Sequence, residues 1–141
     1  MIVLDTTVLA YAVGADTKLA EPNLRILEAV RDGRLEATTT AEVIQEFAHV
    51  YARRRDRAQA AQLARAYAEL LMPLAVVDRA ELEAGLALFE QVRALGAFDG
   101  VLAAVALGRG AEALVSADRA FGAVPKLRHV DPFSSIEELF A

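Results

Sequence analysis

The chain has 141 residues, enough for one compact domain, and 55% of them are hydrophobic, enough for a core. With 25% charged residues it is no disordered polyelectrolyte, and its formal net charge of −5 argues against a plain nucleic-acid-binding surface, which is basic as a rule. It contains no cysteine, which excludes disulfides, thiolate zinc sites and cysteine nucleophiles and fits a reducing compartment. No apolar run approaches the ~18 residues a membrane helix needs, and Asp5 interrupts the N-terminal run too early for a secretory signal. The expectation is a soluble, cytoplasmic protein with no membrane contact.

In chain order, Met1 to Leu4 reads as a short buried strand. Asp5-Thr6-Thr7 caps a helical run from Val8 to Val13, stopped by Gly14. Ala15 to Ala20 reads as a loop, and Glu21-Pro22 as the start of a second helix that Gly33 ends. Leu35 to Thr39 is the second strand. Thr39-x-x-Glu42 is a capping box opening a helix with the apolar face Val43, Ile44, Phe47, Val50 and Tyr51. A basic run from Arg53 to Arg57 follows, then a helix from Ala58 to Leu71 ending before Pro73. Leu74 to Val77 is the third strand. Asp78-x-x-Glu81 opens another helix, closed by Gly96 after Leu95, and Asp99 opens a short helix to Leu107. Ala113 to Ser116 is the fourth strand and Leu127 to Val130 a fifth candidate; Ser135-x-x-Glu138 caps a last turn. Strands alternating with helices define an α/β fold: three layers, α/β/α, around a mainly parallel sheet of four to five strands, spanning residues 1–141 as a single domain.

Four carboxylates stand against apolar stretches: Asp5, Glu46, Asp99 and Asp118. Each has an ordinary reading. Asp5, Asp99 and Asp118 can cap the turns that follow them, and a mid-helix Glu46 can be a helix former at the rim of a buried face. The combination says more. Asp5 and Asp118 fall at carboxyl ends of strands, where open α/β sheets place their working crevice. Glu46 and Asp99 lie on helices that can face the same crevice. Clustered carboxylates are costly without a positive compensator, and a hard divalent cation such as Mg²⁺ or Mn²⁺ is the simplest one. A second ion would sit roughly 3.5–4 Å from the first in two-metal hydrolytic sites. His49 and His129 have no metal-ligand spacing and receive surface and rim roles.

The stretches Asp5-Thr6-Thr7-Val8-Leu9, Thr40 to Phe47, Phe98 to Ala104 and Leu114 to Phe121, in that order, resemble a PIN-domain ribonuclease of the VapC-like type, the toxin of a VapBC-type toxin–antitoxin system. The resemblance spans nearly the whole chain. It implies a PIN-like fold and a Mg²⁺- or Mn²⁺-dependent endoribonuclease. It implies that Asp5, Glu46, Asp99 and Asp118 form the catalytic quartet, with Asp5, Asp99 and Asp118 on the metal. Thr7 and Ser116 match supporting hydroxyl positions, and Glu42, one turn before Glu46, is a competitor for its place. It further implies a tRNA or rRNA substrate cut to leave a 5′-phosphate and a 3′-hydroxyl, a homodimer, and a VapB-type antitoxin whose peptide fills the cleft. A further acid found after the fourth in many members is replaced here by Ala120, which weakens the case for a tightly held second ion. Gly100, an odd residue for the start of a helix, is read as allowing close approach of substrate or of a metal-bound water.

The arginines Arg53, Arg54, Arg55 and Arg57 have two readings: a solvated helix end, or contacts to RNA phosphates. Other phosphate-handling classes fit less well. A haloacid-dehalogenase-type phosphatase needs an aspartate where Thr7 stands, a receiver domain an acidic pair and a late lysine, and a dinucleotide-binding domain a glycine-rich turn in place of Asp5-Thr6-Thr7. The non-enzymatic alternative is a catalytically silent PIN-like RNA- or protein-binding module.

Overall fold

Residues 1–141 are described by a computed structural model. Four strands form one sheet: β1 (Ile2–Leu4), β2 (Ala37–Thr38), β3 (Ala113–Val115) and β4 (His129–Val130). All pairings are parallel, and the strand order is β2-β1-β3-β4. Six helices flank the sheet in an α/β/α arrangement: α1 (Thr6–Ala12), α2 (Thr17–Arg31), α3 (Ala41–Ala52), α4 (Arg57–Leu70), α5 (Arg79–Gln91) and α6 (Ala97–Gly108). They pack in the pairs α1/α2, α3/α4 and α5/α6, with α1 also against α3. Every residue of β1 and β3 is buried, as a sheet covered on both faces requires. Phe47, Phe121, Leu4, Leu9 and Leu114 are fully buried among the core, each contributing about 1.5–3 kcal/mol by leaving water.

The order of connections matters for the site. From β1 the chain goes to one side, to β2, and later returns to the other side, to β3. The reversal point therefore lies between β1 and β3. Asp5 and Ser116 follow directly after these two strands, in the crevice this topology opens.

Several sequence expectations are corrected. Leu74–Val77 is not a strand: only Ala75 bridges, to Thr40, and only Ala75 is buried while Val76 is 76% exposed, so no two-sided buried pattern exists. The candidate strand at 127–130 is real but shorter, and is the fourth. Helix α2 starts at Thr17 rather than Glu21, because Asp16 accepts the Lys18 amide at 3.0 Å and caps it there. Pro22 lies inside that helix, and the neighbouring Asn23 side-chain amide donates to the Leu19 carbonyl at 2.8 Å. Gly33, at φ +76°, follows its end as expected.

Helix α3 is capped by Thr40, which accepts the Val43 amide at 3.2 Å, so the proposed Thr39–Glu42 box does not form. Thr39 instead donates to the Leu4 carbonyl at 2.7 Å and ties β2 to β1. The Asp78–Glu81 box does form, but α5 stops at Gln91, and Gly96 is the N-cap of α6. Ser135 makes no cap bond for the final 3₁₀ turn, Ile136–Leu139; its hydroxyl is engaged with the Asp131 backbone. Gly100 does not face a ligand either. A Cβ there would meet the Gly85 carbonyl oxygen at 2.6 Å, and one on Gly85 would meet Val101 Cα at 2.5 Å, so the pair lets α5 and α6 touch backbone to backbone.

Candidate active site

Asp5 sits directly after β1, 5% exposed, and its amide donates to the Val115 carbonyl at 3.0 Å. It caps α1, accepting from the Thr7 amide at 3.4 Å. The ordinary reading of Asp5 is therefore true, but it leaves much unspent. Ser116 Oγ, fully buried, donates to Asp5 Oδ2 at 2.6 Å, and Thr7 Oγ1 donates to the same oxygen at 3.0 Å. Every bond falls on Oδ2; Oδ1 accepts none.

The lattice continues into the segment after β3. The Asp118 amide donates to Ser116 Oγ at 2.9 Å and the Ala117 amide to Thr7 Oγ1 at 3.0 Å. Thr7 and Ser116 thus join the β1 and β3 ends and tie Asp5 to the backbone of the Asp118 segment. Asp118 is itself exposed and caps the 3₁₀ turn Arg119–Ala123 through the Ala120 amide at 2.9 Å. Its ordinary reading is also true.

Asp99 differs. The cap of α6 is Gly96, so Asp99 lies inside the first turn and its carboxylate accepts no backbone amide. Its side chain is half-buried, and its pKa is pushed up to about 7: desolvation contributes most, then the charges of Asp5, Asp118 and Glu46, and a hydrogen bond with Asp118. The charges of three acids, each from a different segment, thus all reach Asp99. Glu46 lies on α3 and accepts a 3.1 Å hydrogen bond from Thr6 Oγ1. Glu42 also faces the cleft, but no hydroxyl holds it, and its charge is not among those felt by Asp99.

The cleft has a volume of about 460 Å³ and is lined by Asp5, Glu42, Glu46 and Asp99 on one side and by Val77, Leu82, Leu86, Phe98 and Val101 on another. Phe98 is 77% exposed. Arg79, from the first turn of α5, is the one cation in the lining. The sequence reading missed Thr6, Arg79 and this apolar wall. Phe98 stood beside Asp99, and Thr6 beside Asp5, in stretches already singled out; Arg79 carried no local signal. The arginines Arg53 to Arg57 are not part of this cleft.

The donor set is entirely oxygen, the chemistry that Mg²⁺ and Mn²⁺ prefer. As the side chains stand, no three acidic or histidine groups come close enough for a complete ligand set. Mg²⁺ generally keeps several waters and takes only one or two carboxylates directly.

Residues 2–127 match the PIN domain family. The chain belongs to the PIN domain family. Within it the chain is VapC-like: it is 52% identical over 137 residues to Ribonuclease VapC7 of Mycobacterium tuberculosis, covering 94% of this chain and 92% of that protein. The PIN fold is shared with two solved complexes at low identity. VapBC2 from Rickettsia felis, bound to a DNA fragment from its promoter, gives a TM-score of 0.72 at 18% identity, covering 93% of this chain and 98% of that one. FitAcB from Neisseria gonorrhoeae gives 0.70 at 17% identity, covering 95% and 99%. The sequence resemblance to PIN domains and the three-layer parallel fold it implied are both borne out.

Proposed function

We propose that this PIN domain is the endoribonuclease toxin of a toxin–antitoxin pair, acting in the cytoplasm through Asp5, Glu46, Asp99 and Asp118 with bound Mg²⁺ or Mn²⁺. The observation that carries it is the convergence of acids from separate segments: Asp5, Glu46 and Asp99 line one cleft, and burial, with the charges of Asp5, Asp118 and Glu46, pushes Asp99 up to about 7. A protein that only binds partners has no use for such repulsion, which the silent-module alternative leaves without a purpose. The ribonuclease named among its relatives supports the same reaction.

Each residue has a distinct task. Asp5, held through Oδ2 by Ser116 and Thr7, offers Oδ1 as a fixed ligand. Asp99, its carboxyl held up by burial and by the neighbouring acids, would with Asp118 help hold the cation, whose charge would favour the ionised form of both. The cation, when bound, acidifies a water and neutralises charge on the phosphodiester oxygens. Glu46, steadied by Thr6, stands at the rim to orient or deprotonate that water. The substrate is RNA, with tRNA or rRNA as the class the family suggests.

The apolar wall beside the acids supports the antitoxin proposal. Leu82, Leu86, Phe98 and Val101 present a surface for apolar side chains of a VapB-type peptide, whose basic group would meet the acids. The test is cleavage of RNA by the purified, antitoxin-free protein. Mg²⁺ or Mn²⁺ should support cutting, and chelator or Asp99→Asn should abolish it. Failure to cut any tRNA or rRNA with either ion would remove the proposal.

A further inference from the structure

A second cavity, of about 310 Å³, lies at the far ends of α1 and α3. Ala10 and Val13 line it from α1, Phe47, Val50 and Tyr51 from α3, with Arg54 and Arg55 at its edge. Four arginines stand within five residues here, all exposed, and none is in an ion pair. The one acid among them, Asp56, is spent capping α4 by accepting the Ala58 amide at 3.0 Å. Such a concentration is anomalous on a chain of net charge −5. The negative end of α3 accounts for Arg53 and Arg54 at most. Arg57 is the first residue of α4, where the helix dipole disfavours a cation.

The cavity is built on α1 and α3, and α3 also carries Glu46. The Thr6–Glu46 hydrogen bond joins the first turn of α1 to α3, and the two helices then run on together to the cavity. From Glu46 to Ala52, the last residue of α3, the rise is about 9 Å, and Arg53 to Arg55 follow directly.

We propose that this arginine-edged cavity is a second contact site for the substrate: single-stranded RNA, a few nucleotides from the cleaved bond, places phosphates on Arg53, Arg54, Arg55 and Arg57 and an unstacked base in the apolar cavity. The proposal rests on the ribonuclease reading. Its chemistry is that of single-strand binders, which combine cationic tracks with apolar or aromatic base sites. It gives an acidic enzyme a local hold on a polyanion without a basic surface elsewhere.

The test uses full-length protein and short single-stranded RNA oligonucleotides. In the Asp99→Asn background without divalent cation, anisotropy gives affinity against salt. Changing Arg53, Arg54, Arg55 and Arg57 to Gln should weaken binding about tenfold or more and reduce the salt slope by about 0.7 per arginine lost. In the active protein the same changes should raise KM and leave kcat unchanged. Ala15→Trp, at the cavity edge, should raise KM with no change of charge. Arg93→Gln, remote from both sites, should do nothing. A helix-capping role predicts the reverse, a lowered melting temperature with unchanged RNA affinity, and that result overturns the proposal. Unchanged RNA binding with lost antitoxin inhibition also overturns it, in favour of a protein contact. Either can occur while the wild-type protein cuts RNA, so the second site fails separately from the reaction.

Discussion

The two sides of the acidic cluster are built on opposite principles. On the sheet side, Asp5 and Asp118 belong to a lattice with Thr7 and Ser116 in which nearly every group is hydrogen-bonded and both acids cap a helical turn. On the helix side, Asp99 caps nothing and Glu46 is held by one hydroxyl. The sheet-side acids therefore have structural work that would keep them in a protein without any activity. Asp99 has none, and it bears the repulsion of the other three. The least structurally useful acid is the most functionally informative.

Substitutions on the two sides should separate. The largest effect is expected at Asp99→Asn, which should lower kcat about a thousandfold or more and, without divalent cation at pH 8, raise the melting temperature by removing the repulsion. A lowered melting temperature would show that Asp99 supports the fold after all. Ser116→Ala should cost both properties. It strips Asp5 Oδ2 of a buried donor and the Asp118 amide of its acceptor, at about 1–3 kcal/mol of stability, with activity lower by about 10–100-fold. Urea denaturation and single-turnover cleavage measure the two losses.

Next in size is a pH effect on the protein without divalent cation. The Asp99 carboxyl has its folded pKa raised from 3.8 to about 7, so the folded state holds the proton more tightly than the unfolded one. Its contribution to stability is fully present below pH 3.8 and is lost as pH rises through about 7. Between those values the wild type should lose stability relative to Asp99→Asn, and saturating Mg²⁺ should reverse the trend. Parallel pH profiles of the two proteins would contradict the account. The smallest effect is expected at Thr6→Val, which frees Glu46 while keeping side-chain volume. It should lower kcat by about threefold to tenfold, the scale of one hydrogen bond, with little change in stability.

The sheet side was the more legible in sequence because its signals are local. An acid closing a run of buried residues, followed by two threonines, marks a strand end and a cap at once, and Ser116 to Asp118 repeats the pattern. The helix side depends on long-range packing. Thr6 meets Glu46 across 40 residues, and Arg79 enters the cleft only because α5 crosses beside α6. The failed Leu74–Val77 strand has the same origin: its residues have strand propensity, yet only Ala75 finds a partner. Gly100 looked like a site residue because of its neighbour Asp99, but its small size serves contact with Gly85.

The central claim is that a divalent cation binds at this acidic cluster and that Asp99 takes part in holding it. Mn²⁺ calorimetry at pH 6.5, in two buffers of different ionisation enthalpy, reads both binding and proton exchange. The account predicts that Mn²⁺ binds and expels a proton, and that Asp99→Asn binds more weakly without expelling one. Mn²⁺ binding of equal strength and proton yield in wild type and Asp99→Asn, or no binding at all, would contradict it.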